Sequence, residues 1–160
     1  MDKTDYNRER ILALLREREQ RRDYSHNYLV PYKDYLDASD PFTDFNCERD
    51  EGKTNYMAMI NRVAAMDPAA QIFVEVYSLE EDDDEAYIYA DTLIIFSALP
   101  LADVKRIFSQ SKDLFPSDVG ELQDRDFYDK VNLVVTGDGA LQPVDSFRGQ
   151  GSHCYYCWWD

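Results

Sequence analysis

The chain has 160 residues and a formal net charge of −15 at pH 7, and 44% of its residues are hydrophobic. Its length suits a single domain with a real core, and its 12 Tyr and 8 Phe exclude the aromatic-poor composition of disordered chains. The negative charge opposes direct binding to nucleic-acid phosphate or to anionic membranes, and it favours encounter with basic partners. We therefore expect one acidic domain spanning residues 1–160.

The sequence predicts a cytoplasmic protein. The N-terminus is charged through Arg10, and the apolar run at residues 11–15 is too short for the hydrophobic region of a signal peptide. No apolar stretch reaches the roughly 20 residues that a transmembrane helix needs. An odd number of cysteines, three, argues against a secreted disulfide framework.

The first predicted helix spans about residues 5–22, and its apolar stripe covers only its first half. Residues 1–22 hold seven basic and five acidic side chains, so the remainder of the chain carries −17. This contrast leaves two interpretations open: the helix docks on the acidic body, or it is peripheral and binds something else. Residues 23–55, where tyrosines alternate with aspartates and prolines, are predicted to be irregular.

The rest of the chain predicts an α+β fold. A second helix is expected from Thr54 to about residue 66, and a third from Pro100 to about residue 112. Residues 71–78 and 86–96 are rich in β-branched and aromatic side chains and predict a hairpin, with further strands near 131–136 and 154–159. The strand–helix–strand order across 86–136 predicts that its two strands are parallel. We therefore expect a mixed β-sheet built on a central hairpin at about 71–97, with helices packed on one face.

The predicted hairpin places two carboxylates close together. If residues 79–85 form the loop, Ser78 lies opposite Ala86, and Glu75 and Asp91 become diagonal neighbours about 7–8 Å apart. Three tyrosines share their face: Tyr77, Tyr87 and Tyr89. A carboxylate pair among aromatic rings suits a general acid and base, or recognition of an Arg or Lys side chain. The simplest interpretation is a solvated sheet face.

Six adjacent carboxylates lie between the hairpin strands: Glu80, Glu81, Asp82, Asp83, Asp84 and Glu85. They repel one another, so they need solvent, a cation or a basic partner. The run lacks the ligand spacing of a calcium-binding EF-hand loop, and we expect no metal or other cofactor there. We interpret the run as a surface that steers a basic protein toward the domain.

A C-x-x-C pair, Cys154 and Cys157, lies near the C-terminus. Such a pair is typical of redox sites or zinc sites, and Cys47 and His153 are the candidates for the third and fourth zinc ligands. On an extended strand, however, residues three apart point to opposite faces. A buried, aromatic closing strand is therefore the favoured interpretation.

The function that these features favour is a non-catalytic acidic binding protein, an inhibitor or immunity-type protein that engages a toxin or a nucleic-acid-acting enzyme. In type it resembles bacterial immunity proteins and DNA mimics, without a family motif. Its predicted contact residues are the acidic run, the three tyrosines, Glu75 and Asp91. The alternative is a small metal- or thiol-dependent enzyme that uses Glu75 with Asp91, or Cys154 with Cys157.

Overall fold

The computed structural model describes residues 3–37, 42–46, 50–81, 86–110, 114–123, 130–136, 140–149 and 151–160, and it describes no side chains at 3–7, 50 and 51. The fold is α+β, as the sequence predicts. Its helices are α1 (Lys3–Arg21), α2 (Tyr32–Tyr35), α3 (Asp50–Met66) and α4 (Leu101–Ser109). Within the described ranges, none of the helices combines the length and the apolar character needed to cross a membrane.

The strands form two sheets. They are β1 (His26–Pro31), β2 (Thr43–Phe45), β3 (Gln71–Glu75), β4 (Ser78–Glu81), β5 (Ala86–Ala90), β6 (Thr92–Ser97), β7 (Asp118–Glu121), β8 (Val131–Val135), β9 (Leu141–Pro143) and β10 (His153–Trp158). The large sheet has seven strands in the order β7-β10-β6-β3-β1-β8-β9, and the small sheet has three in the order β2-β5-β4. A single 3₁₀ turn (Val144–Ser146) follows β9.

The central hairpin is confirmed, and it passes through both sheets. Glu75 of β3 lies opposite Thr92 of β6, and three residues further on, Ser78 of β4 lies opposite Tyr89 of β5. The arms therefore keep one register through both sheets. The predicted register, with Ser78 opposite Ala86, is wrong by three residues, because strand β4 continues to Glu81 where the sequence suggested a loop.

The prediction that residues 23–55 are irregular is wrong. They contain β1, α2, β2 and the start of α3, and β1 lies in the middle of the large sheet, antiparallel to β3 and parallel to β8. Only residues 28–30 of β1 are fully buried, and Pro31 ends the strand. So short an apolar run, closed by a proline, resembles a loop in sequence.

The order of the middle strands also differs from the simplest prediction. Strands β6 and β8 do run in the same direction, but they are not neighbours, since β3 and β1 lie between them. Helix α3 begins at Asp50, four residues before the predicted start at Thr54. Strands β7 and β9, at the two edges of the large sheet, were not predicted.

The helices pack on one face of the large sheet, as predicted. Ile72 and Val74 of β3 point into the main core, together with buried side chains from α1, α2, α3 and α4. Phe73 points to the opposite face, into a second cluster that Val144 and Phe147 cover. This alternation is the period of two expected for a strand, so both faces of the large sheet are apolar at its centre.

Candidate functional site

The small sheet has an inner and an outer face. Leu79 and Ile88 lie opposite each other and pack into the main core, which defines the inner face. Because side chains alternate along a strand, the neighbouring cross-strand pairs, Ser78 with Tyr89 and Glu80 with Tyr87, lie on the other side. We call the surface formed by Ser78, Glu80, Tyr87 and Tyr89, together with the adjoining ring of Tyr77, the outer face.

Two hydrogen bonds fix the backbone of Tyr77, and its side chain is exposed. Its amide donates to the Tyr89 carbonyl oxygen at 3.0 Å, and its own carbonyl oxygen accepts from Arg18 Nη2 at 3.0 Å. The ring is 64% exposed and meets the Tyr89 ring edge to face, with the centroids 6.4 Å apart. Tyr77 thus contacts Tyr89, and Tyr87 lies opposite Glu80.

Glu81 of the acidic run contacts helix α1. Its Oε1 accepts a hydrogen bond from Arg16 Nε of helix α1 at 3.1 Å, and Arg16 Nη2 contacts the same oxygen. The positive side of α1 therefore docks on the acidic hairpin, and Glu81 is already paired within the molecule. Residues 82–85, which complete the predicted run, lie outside the described residues.

Buried polar groups support the small sheet from below. The buried Tyr35 hydroxyl donates to the carbonyl oxygens of Asp44 at 2.5 Å and Ile88 at 3.3 Å, and burial raises the pKa of Tyr35 well above its ordinary value of 10.0. Lys53 is fully buried, and its Nζ donates to the Thr43 carbonyl oxygen at 2.9 Å. The sequence did not indicate either role, since Lys53 precedes a predicted N-cap, where a lysine is usually exposed.

Glu75 lines a cleft where the hairpin leaves the large sheet. The cleft has a volume of about 380 Å³. Burial is the main cause that raises the pKa of Glu75 above its ordinary value of 4.5. The positive charges of Lys130 and Arg18 oppose this rise, and the negative charge of Asp91 adds to it. The side chains that line the cleft are Arg18, Glu19, Tyr24, Asn27, Glu75, Val76, Tyr77, Ser78 and Lys130.

Asp91 is close to Glu75 in the observed register, although that register differs from the predicted one by three residues. The strand partner of Glu75 is Thr92, whose hydroxyl donates to Asp91 Oδ1 at 2.8 Å. Trp158 Nε1 donates to Asp91 Oδ2 at 3.3 Å. Glu75 and Asp91 are therefore neighbours, and only Asp91 receives hydrogen bonds from these two side chains.

The structure does not bring the candidate zinc ligands together. Cys154 lies in the second cluster and Cys157 in the main core, on opposite faces of the large sheet. Burial, with a contribution from Asp118, raises the pKa of the Cys157 thiol far above its ordinary value, so it is a poor nucleophile. His153 Nδ1 lies 2.9 Å from Glu121 Oε1, and Cys47 falls outside the described residues. In the described ranges no three His, Cys, Asp or Glu side chains are placed to share a metal ion.

The chain matches no protein-family model, no curated protein sequence and no solved structure.

Proposed function

We propose that the chain is a non-catalytic acidic protein that works in the cytoplasm by binding a basic protein, as an inhibitor or immunity-type protein does. The partner would be a toxin or a nucleic-acid-acting enzyme. The observation that carries the proposal is the outer face, where one edge of the fold presents Glu80, Tyr87 and Tyr89 on a strand pair whose other side is packed into the core.

The tyrosines of the outer face suit the role of anchors. Tyrosine combines a large apolar ring with a polar hydroxyl and loses little conformational freedom on binding, which is why it is common at the energetic centre of interfaces. Tyr77 is held by hydrogen bonds on both sides of its backbone, while its ring is 64% exposed. A partner that covers this ring gains apolar contact without having to order the chain.

The charge of the chain suits rapid capture of a basic partner. The net charge of −15 attracts positive surfaces, and the four residues between Glu81 and Ala86 are all acidic. Such fields raise association rates at low salt, and they act on the rate more than on the final affinity. The acidic run therefore speeds association, whereas the tyrosines retain the bound partner.

The proposal is tested by capturing proteins from the native cell at low salt and eluting them with a salt gradient. Wild-type protein is compared with a variant of the outer face, Glu80→Gln with Tyr87→Ala. The matched control, Glu9→Gln with Phe115→Ala, removes the same charge and one exposed aromatic ring elsewhere. We expect a basic protein that wild type and control capture and that the outer-face variant loses. Equal capture by all three proteins would contradict the proposal.

The purified partner then gives a kinetic test of steering. Neutralising Asp82, Asp83 and Asp84 together is expected to slow association and to flatten its dependence on salt. Dissociation should change less, because these charges act before contact. An association rate that is indifferent both to the charges and to salt would show that the acidic run does not steer the partner.

The thiol form of the enzymatic alternative is not favoured by the geometry. Cys154 and Cys157 are both buried and face opposite sides of the sheet, and the raised pKa of Cys157 opposes formation of the thiolate. Catalysis by Glu75 and Asp91 stays a prediction. The cleft around Glu75 favours a different use of that carboxylate.

A further inference from the structure

The cleft around Glu75 contains charges of both signs, and two of them are already engaged. Arg18 Nη2 donates to the Tyr77 carbonyl oxygen, and the Arg18 guanidinium lies 5.7 Å from the centre of the Tyr24 ring. Glu19 Oε2 accepts a hydrogen bond from the Tyr24 hydroxyl at 3.1 Å. These contacts fix one wall of the cleft and leave two further charged side chains in it, Glu75 and Lys130.

Glu75 and Lys130 are not paired, either with each other or with other described residues. Neither side chain makes a hydrogen bond or an ion pair within the described part of the chain. Glu75 is half-buried, and this partial removal of its carboxylate from water is the main cause that raises its pKa. The cleft therefore offers one acceptor and one donor that make no hydrogen bond or ion pair with the residues that the structure describes.

The chemistry of these two groups selects a ligand with both charges. A simple cation would be attracted by Glu75 but repelled by Lys130 and Arg18, and a simple anion would meet the reverse. A small molecule with an ammonium and a carboxylate group satisfies Glu75 and Lys130 at once. The volume of about 380 Å³ lies in the range of small-molecule sites, and Tyr24 and Tyr77 supply aromatic walls.

We propose that this cleft binds a small zwitterion with the chemistry of a free amino acid, with its ammonium group on Glu75 and its carboxylate on Lys130. The site is distinct from the outer face, and Tyr77 and Ser78 are the residues that both share. It does not depend on the proposed protein partner, because neither Glu75 nor Lys130 belongs to the outer face.

The test is calorimetric titration of the full chain with free amino acids at neutral pH. The probes are the common L-amino acids, with β-alanine and γ-aminobutyrate to vary the separation of the charges. Methylammonium and acetate serve as probes with a single charge. We expect at least one zwitterion to bind with a dissociation constant below about 1 mM, the upper end of typical Michaelis constants, and neither single-charge probe to bind as tightly.

Two variants assign the binding to the cleft. Glu75→Gln and Lys130→Met each remove one charge, and each is expected to weaken binding by about tenfold or more, as for loss of a charge-assisted hydrogen bond. Glu9→Gln and Lys105→Met make the same changes at exposed positions elsewhere, and they should leave binding unchanged. If Glu75→Gln does not fold, Lys130→Met decides alone, since Lys130 is an exposed residue.

Three results would overturn the proposal. The first is that no zwitterion binds with a dissociation constant below about 1 mM. The second is that acetate or methylammonium binds as tightly as the best zwitterion. The third is that binding survives in both cleft variants, or survives in Lys130→Met where the other variant does not fold.

Discussion

The two halves of the central hairpin show how one strand pair serves two purposes. In the inner half, β3 and β6 lie in the large sheet, and Phe73 and Ile94 are as buried as Val74 and Leu93 on the opposite face. In the outer half, β4 and β5 bury only one face. The sequence of the inner half is a continuous apolar run, as expected for strands that are covered on both faces. In the outer half apolar and polar side chains alternate, as expected for strands that are covered on one face.

The change between the halves occurs within two or three residues. The amide of Val76 donates to the Tyr28 carbonyl oxygen of β1, which is the last contact of this arm with the large sheet. On the other arm, the Asp91 carbonyl oxygen accepts from the amide of Trp159. Beyond this point, in the small sheet, β5 pairs with β2. The fold thus anchors the hairpin at one end and presents it at the other.

The largest effect is expected from a matched pair of truncations on the same arm. Phe73 is 2% exposed, and its ring centre lies 6.2 Å from that of Phe96 and 5.6 Å from that of Phe147. Phe73→Ala should therefore lower the free energy of unfolding by about 3–5 kcal/mol, whereas Tyr77→Ala should change it by about 0.5 kcal/mol or less. Urea unfolding measures both. Similar losses in the two variants would mean that the outer half is as deeply packed as the inner half.

The second prediction concerns the support beneath the small sheet. Tyr35→Phe removes the hydroxyl that the Asp44 carbonyl oxygen accepts from, and it should lower the free energy of unfolding by about 1–3 kcal/mol. The raised pKa of Tyr35 adds a pH dependence: its stabilising effect is complete below the ordinary pKa of 10.0 and is lost as the pH rises above it. The difference between wild type and Tyr35→Phe should therefore shrink at alkaline pH. If the difference in stability between wild type and Tyr35→Phe stays constant at alkaline pH, the pKa of Tyr35 is not raised by folding.

The predicted and observed hairpins differ for a reason that can be traced to two residues. Leu79 and Glu81 look like parts of a charged loop, but Leu79 packs against the main core and Glu81 meets Arg16. Both contacts come from segments distant in sequence, so no local pattern indicates that the strand continues. Patterns of apolar side chains did identify β3, β6, β8, β10 and helices α1, α3 and α4, because those elements bury their own periodic face.

The same limit applies to the cleft. The sequence predicts that Glu75 and Asp91 are neighbours, since both belong to the hairpin. It does not predict Arg18 or Lys130 there, because one comes from α1 and the other precedes β8. Such a site is assembled by tertiary packing, and it has no spacing in the sequence by which it could be found.

The third prediction sharpens the contrast at the junction itself. Burial raises the pKa of Glu75, so the folded state disfavours the charged form, and ionisation of Glu75 lowers stability as the pH rises above its ordinary pKa of 4.5. Glu75→Gln should therefore be more stable than wild type at pH 7, and the gain should disappear at pH values below 4.5. Chemical unfolding at several pH values measures this. A variant less stable than wild type at pH 7 would show that the native state stabilises the Glu75 carboxylate.

The smallest effect is expected where α1 meets the outer half. Arg16 and Glu81 are 50% and 44% exposed, so a double-mutant cycle with Arg16→Met and Glu81→Gln should give a coupling energy below about 1 kcal/mol that vanishes in about 1 M salt. The pair Arg21 and Glu17, which lies within α1, is the matched control for an exposed ion pair.

The size of this coupling tells whether the ion pair or apolar packing holds α1 on the hairpin. If the ion pair held the helix on the hairpin, the cycle would give about 2 kcal/mol or more, and salt would loosen the contact. Leu15 is fully buried in the main core, so Leu15→Ala should cost about 2–5 kcal/mol while the ion pair contributes little. The helix is then held by its apolar face, and Arg16 serves to remove one negative charge from β4. Of the two glutamates in β4, Glu81 is therefore the one that pairs with Arg16, and Glu80 lies on the outer face.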